Sequence, residues 1–278
     1  MEFLHEIGRL LTTDEITCGY RALTVLYPHI LPHFYMIRSV ELRLLSNYIV
    51  RTEGPFLDLG CGDGCFGKSL GLKDVYGIDI DEKLIKSIQK DDHYVGVYHA
   101  DASKIPFKND SFSTVFSNCA LEHMDQIKKV LIEIKRVLKD QGKFILTVPT
   151  ERLYEVIRKD AVLRKAGLGG QHAWDRYNRI HHHVNMFELG TWKELLEPIG
   201  FRILNHQYYL PGFIGRFVAR MDMLYTVATP KTKNLVDKLE NRYWSLAGLP
   251  LRIYFCHYIR NLRSENSGTH LIIRSEKV

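Results

Sequence analysis

Two kinds of side chain are spaced for chemistry in this sequence: acids that close short apolar runs, and histidines. Asp58 belongs to the run Phe56-Leu57-Asp58-Leu59, which is followed by Gly60, Gly62, Gly64 and Gly67. Glycine reaches positive φ and lets a ligand approach the backbone closely. An apolar strand, a glycine turn and a helix start together form the recipe by which open α/β sheets hold nucleotide-like ligands. Asp79 lies at the end of a second run, 75–81, and Asp101 closes a third, 95–101. A carboxylate at a strand's C-terminal end can accept hydrogen bonds from both hydroxyls of a ribose. Asp81, directly before Glu82-Lys83-Leu84-Ile85, fits an N-cap better. The histidines of interest are His123 and the run His181-His182-His183. Each suits either a general base near neutral pH or structural hydrogen bonding. Adjacent residues do not easily converge on one ion, and no Asp, Glu or Cys lies at ligand spacing from the run, so no metal is assigned. Cys61 sits inside the glycine turn, which argues against a metal pair with Cys65.

Positioning these residues requires parallel strands that end on one edge. Apolar runs at 56–59, 75–81, 95–101, 114–118 and 143–149 read as strands, with helices between them. The clearest helix spans 126–139, with Ile127, Val130, Leu131, Ile134, Val137 and Leu138 on one stripe and Gly142 as its stop. A helix over 188–198 leads into a sixth strand from 200, and 269–274 reads as a seventh. The expected fold class is α/β: a doubly wound, mostly parallel seven-strand sheet with helices on both faces. Residues 1–53 read as a helical segment, broken at Pro28 and Pro32, that packs on the sheet or covers the ligand. The core then spans 54–210, with an insertion at 150–185 around Gly167-Leu168-Gly169-Gly170. A second helical insertion, basic and aromatic, fills 211–264, and 265–278 returns to the sheet. Within it Phe213, Ile214, Phe217, Val218, Met221, Leu224 and Tyr225 make a helical stripe that suits either core packing or a membrane interface.

Two glycine fingerprints overlap at the turn. Gly62-x-Gly64-x-x-Gly67 matches the dinucleotide pattern, but its first glycine does not directly follow the strand. Asp58-x-Gly60-x-Gly62-x-Gly64 resembles motif I of class I S-adenosylmethionine-dependent methyltransferases. The stretch from Asp101 to Ser117, "DASKIPFKNDSFSTVFS", is similar to a stretch of the branch that includes ubiquinone and menaquinone methyltransferases, with Ser113 replacing that branch's usual acid. Leu121-Glu122-His123 resembles a further family segment, and the histidine run precedes a family-like "FxxxxWxxLL" segment at Phe187. This resemblance implies an S-adenosylmethionine cofactor, released as S-adenosylhomocysteine. It implies a cofactor set of Asp58, Leu59, Gly60, Cys61, Gly62 and Gly64 at the methionine end, Asp79 and Ile80 at the ribose, and Asp101, Ala102 and Ser103 at the adenine. Asn118 and Cys119 complete the methionine portion. Glu122 and His123 are expected to face the cleft, and His123, His181, His182 and His183 are the candidate bases.

The net charge of +6 is unevenly placed: residues 202–278 hold twelve Lys/Arg against five Asp/Glu. A basic region can face anionic lipid, nucleic acid or a phosphorylated substrate, or be a solvated surface. Five cysteines without a CxxC pair suggest reduced thiols in a cytoplasmic protein, and the acidic start carries no signal-peptide character. The expected partner is a small-molecule acceptor, apolar, lipid-linked or glycan-like, with membrane contact through 211–264. An RNA- or protein-modifying enzyme and a non-catalytic cofactor-binding protein are the alternatives, although no separate RNA-binding module is visible.

Overall fold

The computed structural model of the chain describes residues 32–90, 92–165, 167, 170–227 and 268–278. In chain order the elements are α1 (Pro32–Ile49), β1 (Phe56–Leu59), α2 (Cys65–Ser69), β2 (Val75–Asp79), α3 (Glu82–Ile88), β3 (Tyr94–His99) and β4 (Phe112–Asn118). They continue with α4 (Ile127–Val137), β5 (Leu138–Pro149), α5 (Glu151–Lys159), α6 (Ala161–Lys165), α7 (Gln171–His181), α8 (Leu189–Ile199), β6 (Phe201–Pro211), α9 (Gly212–Val227) and β7 (Gly268–Lys277). The strands form one seven-stranded sheet in the order β3-β2-β1-β4-β5-β7-β6. Pairings from β3 to β5 are parallel, while β7 runs antiparallel between β5 and β6. The mostly parallel seven-strand α/β sheet expected from the sequence is therefore the fold. All four residues of β1 are buried, as a central parallel strand covered on both faces requires. The chain leaves β1 for β2 on one side and later returns to β4 on the other. A crevice opens at such a switch point, above the strands' C-terminal ends.

Period-two alternation sorts the sheet's side chains into two cores. Phe116, Ile145 and Ile272 face α1 and α9, where Val40, Leu45, Ile214 and Val218 are buried. Val115, Phe144 and Ile273 face α4 and α8, where Leu131, Ile134, Trp192 and Leu196 are buried. The α4 stripe is as expected, but the helix stops at Val137 and Gly142 lies inside β5. Leu138 is already extended because it pairs with Phe112 of β4. Pro32 opens α1 instead of only interrupting the chain, a position where its missing N–H costs nothing. Region 150–185 holds α5, α6 and α7, which pack with α9 around Leu153, Ile157, Leu163, Tyr177 and Met223. In α9 the buried face is Ile214, Val218, Ala219 and Met223, while Leu224 points outward. The described part of the second insertion is thus core. The helices expected before residue 32 and the rest of the insertion, 228–264, lie outside the described residues. Among the described residues no helix is long and apolar enough to cross a membrane.

Candidate active site

The glycine turn after β1 is left-handed at three points, with φ of 77° at Gly60, 55° at Gly62 and 74° at Gly64. At Gly60 conformation and space coincide, because a Cβ there would lie 2.5 Å from that of Ala120. The turn is tied to the neighbouring strand by Asp79. Its Oδ2 accepts the Gly62 N–H at 2.8 Å and its Oδ1 accepts the Asp81 N–H at 2.9 Å. Asp81 in turn caps α3, accepting from the N–H groups of Lys83 and Leu84 at 2.8 and 3.3 Å. The helix cap, Asp81, and the acid that ties the glycine turn, Asp79, are therefore separate residues.

Above this turn opens a cleft of 270 Å³, lined by Gly60, Asp79, Ile80, Asp101 and Ala102 with Ala120, His123 and Met124. Ile80 is 70% exposed, an apolar side chain left uncovered at the cleft wall. Asp101 caps the 3-10 turn Ala102–Lys104, accepting the Ser103 N–H at 2.7 Å. A backbone bared of side chains at Gly60, an acid at the end of β2 and an apolar surface followed by a second acid at the end of β3 match the polar, sugar and ring portions of an adenosine-type ligand. The residues present fit the cofactor that the sequence resemblance implies.

Three of the other expected cofactor residues, Asp58, Leu59 and Cys61, sit behind this wall. Leu59 and Cys61 are buried, and burial pushes the Cys61 thiol far up, assisted by the charges of Asp58 and Asp79. Asp58 lies under the turn, not in the cleft. It is 3% exposed and its Oδ2 accepts the Tyr94 hydroxyl at 2.8 Å. Gly67 makes room for this pair, since a Cβ there would collide with both partners. Asp58 thus shapes the turn from below. Burial raises its pKa to about 7, against the hydrogen bond from Tyr94 that lowers it and with Asp79 and Asp63 adding to the rise. The sign follows: the folded chain prefers the protonated carboxyl, so stability is full below the ordinary value of 3.8 and declines as pH rises towards about 7. The loss over that window is on the order of a few kcal/mol. Asp58→Asn, which still accepts from Tyr94, is expected to flatten this decline. Thermal melts of both proteins between pH 4 and 8 check it; parallel curves would refute it.

A second cavity, of 130 Å³, adjoins the first through His123 and is lined by Arg38, Cys119, Glu122, Tyr177, His181, His183, Asp222 and His270 among others. Its walls come from α1, α5, α7, α9, the end of β4 and β7. Cys119 follows β4 with φ 47°, held by its N–H bond to the Thr147 carbonyl at 3.0 Å. Its thiol donates to Glu41 Oε1 at 3.0 Å, and Asn118 Nδ2 donates to Glu41 Oε2 at 3.0 Å. The Asn118 carbonyl oxygen accepts from the Thr147 hydroxyl at 2.7 Å. Tyr177 donates to Asp222 Oδ2 at 2.5 Å. Burial raises Glu122 to about 8, lowers His183 to about 3 and lowers His270 to about 4.

The histidine run is stitched onto the turn after β4. The N–H groups of Val184 and Asn185 both donate to the Glu122 carbonyl, at 2.7 and 3.1 Å. Asn185 Nδ2 donates to the carbonyls of Leu121 and Met124 at 2.8 and 2.6 Å. These bonds bring His183 beside His123, with ring centroids 5.0 Å apart. His181 stacks on Tyr177 at 4.2 Å. His182, at φ 51°, turns out to the surface opposite Asp125 at 3.2 Å, so it leaves the group of candidate bases. Arg38, Glu41, Tyr177, Asp222 and His270 carry no motif that marks them. The available signals were weak: Glu41 is the lone acid in Val40-Glu41-Leu42, and His270 interrupts an apolar strand.

The methyltransferase-domain family model matches residues 57–146, which is the stretch from β1 into β5. The chain is 28% identical over 167 residues to the uncharacterized protein MJ1123 of Methanocaldococcus jannaschii, covering 60% of this chain and 73% of that one. It is 39% identical over 131 residues to MJ1252 of the same organism, covering 46% of this chain and about half, 49%, of the relative. A crystal structure of an S-adenosylmethionine-dependent methyltransferase from Thermotoga maritima shares the fold, with a TM-score of 0.51 at 14% identity, covering 97% of this chain and 99% of that one.

Proposed function

We propose that this chain, a class I S-adenosylmethionine-dependent methyltransferase, methylates a compact acceptor bearing a hydroxyl or amine, held in the cavity between Arg38, Glu122, Tyr177 and His183. The observation that carries this reading is that His123 lines both cavities, so an acceptor in the second sits beside a cofactor in the first. The cofactor, when bound, supplies a sulfonium-activated methyl group, and the protein mainly positions the acceptor and handles its proton. Asp79 is assigned to the ribose, Asp101 with Ala102 to the adenine, and the backbone from Gly60 to Gly64 to the methionine end. Burial holds His123 below the ordinary imidazole range, against the hydrogen bonds it makes to the backbone of His182 and His181. It is therefore neutral at pH 7 and able to take a proton from the acceptor.

Arg38, Glu122, Asp222 and the histidines suit an acceptor with a polar reacting end, while Ile37, Pro149, Leu153, Val218 and Ala219 line the rest of the cavity and leave room for an apolar portion. The likeness to the ubiquinone and menaquinone branch does not argue against this. It rests on residues 101–117, none of which lines the second cavity.

Calorimetric titration with S-adenosylhomocysteine, with NAD as control, tests the first half of the reading; binding of S-adenosylhomocysteine alone is expected. Methyl transfer from labelled cofactor to a panel of small hydroxyl and amine compounds, RNA and lipid vesicles tests the second. Labelling confined to RNA or vesicles would overturn the small-acceptor assignment.

A further inference from the structure

We propose that Glu122, His123 and His183 form a binding site for one divalent transition-metal ion, at the junction of the two cavities. One ligand atom from each residue lies within 4.8 Å of those from the other two. Linear spacing hides this set, because the histidine run has no acid near it in sequence. The fold supplies one by tying residues 184 and 185 to the Glu122 carbonyl. Two further observations point to a missing partner. Glu122 Oε2 and His183 Nδ1 are both shut off from solvent with no hydrogen bond to the protein, and Glu122 is only 2% exposed. A buried polar atom without a partner costs about 1–3 kcal/mol, so two of them on residues of one cluster call for an occupant.

The third ligand is pre-oriented. His123 Nδ1 faces the carbonyl of His182 at 3.4 Å; as the donor to it, Nδ1 carries the ring proton and leaves the Nε2 lone pair free. That Nε2 lies 3.8 Å from Glu122 Oε1. Backbone anchoring of the remote ring nitrogen is the usual way a metal-binding imidazole is fixed. Around a tetrahedral ion neighbouring ligand atoms are about 3.3 Å apart, so side-chain rotation has little distance to close. The Arg38 guanidinium, which acts on Glu122 by charge, is itself paired with Glu41 at 2.6 Å.

Two imidazoles and one carboxylate suit Zn2+, Co2+ or Fe2+ over Mg2+. Three protein ligands leave an open position facing the cavity. An acceptor hydroxyl coordinated there would release its proton to water, keep the electron pair on oxygen and stay beside the cofactor cleft. That role rests on the acceptor reading above and takes the place of His123 as the base, whose Nε2 would then hold the ion; the ion site itself does not rest on that reading.

The test uses the full chain without a polyhistidine tag, stripped by chelator dialysis, then titrated with Zn2+ by calorimetry and with Co2+ by visible absorption. One ion per chain is expected, with ligand-field bands of a four- or five-coordinate Co2+ centre. Glu122→Gln and His183→Ala should each weaken binding by more than about 10-fold, while His181→Ala keeps the stoichiometry. S-adenosylhomocysteine titrations of every variant report that the fold is intact. The proposal is overturned if the wild type takes up no ion, or if Glu122→Gln and His183→Ala bind as the wild type does. Failure of S-adenosylhomocysteine to bind wild type would instead strike the cofactor reading and leave the ion result to stand by itself.

Discussion

Asp79→Ala is expected to weaken S-adenosylhomocysteine binding by about 100-fold, or roughly 2.7 kcal/mol. The carboxylate has two roles that alanine removes together. It lines the cleft, where it is the assigned acceptor for the ribose hydroxyls. It also fixes the Gly62 and Asp81 N–H groups at 2.8 and 2.9 Å, and so holds the glycine turn against the end of β2. Hydrogen bonds to a charged group are worth about 1.5–3 kcal/mol each, so losing the ligand contact and loosening the turn reach that total. Asp79→Asn keeps acceptor capacity without the charge and should fall between the two. Asp81→Ala is the control: it removes an N-cap, costs about 1 kcal/mol of stability and should leave binding within about threefold. Calorimetry on the four proteins decides it. If Asp79→Ala bound the ligand as tightly as Asp81→Ala does, the carboxylate would only be tying the turn and the ribose assignment would fall.

Asp79 was legible in the sequence because everything that places it is local: an apolar strand before it, a cap two residues later, and a glycine turn that must meet it. The same holds for Gly60, Asp101 and Ala102. Asp58 shows where local reading stops. Its type and spacing resemble a ligand-facing acid, but the partner that turns it inward, Tyr94, lies 36 residues away on β3. The second cavity was still less readable. Arg38, Tyr177, Asp222 and His270 meet only after α1, α7, α9 and β7 have packed, and none belongs to a pattern with a period. The histidine run showed the opposite weakness. Three identical side chains invited one role, yet the left-handed turn at His182 sends the three rings to a tyrosine stack, the surface and the cavity.

Glu41→Ala is expected to cost about 3–5 kcal/mol, the range for removing one partner from a buried ion pair. At about 2–4 °C per kcal/mol for domains somewhat smaller than this chain, the melting point should fall by roughly 6–20 °C. No solvent reaches Glu41, and its carboxylate joins three parts of the fold. It accepts from Arg38 within α1 at 2.6 Å, from Asn118 and Cys119 at the end of β4 at 3.0 Å each, and from Tyr209 on β6 at 3.1 Å. Alanine leaves all four donors facing a void beside the cavity. The pH dependence runs opposite to that of Asp58. Burial raises the Glu41 pKa, but the Arg38 guanidinium, the His270 ring and the hydrogen bonds from Cys119 and Arg38 outweigh it and hold the group below its ordinary 4.5. Its stabilisation is therefore present above 4.5 and lost as pH falls through the lower folded value. The gap in melting point between wild type and Glu41→Ala should be constant from pH 6 to 8 and narrow below about pH 4. Glu41→Gln, which retains one acceptor oxygen, should lose less. A gap that stayed constant down to pH 3 would mean that packing, not the charge, is what Glu41 contributes.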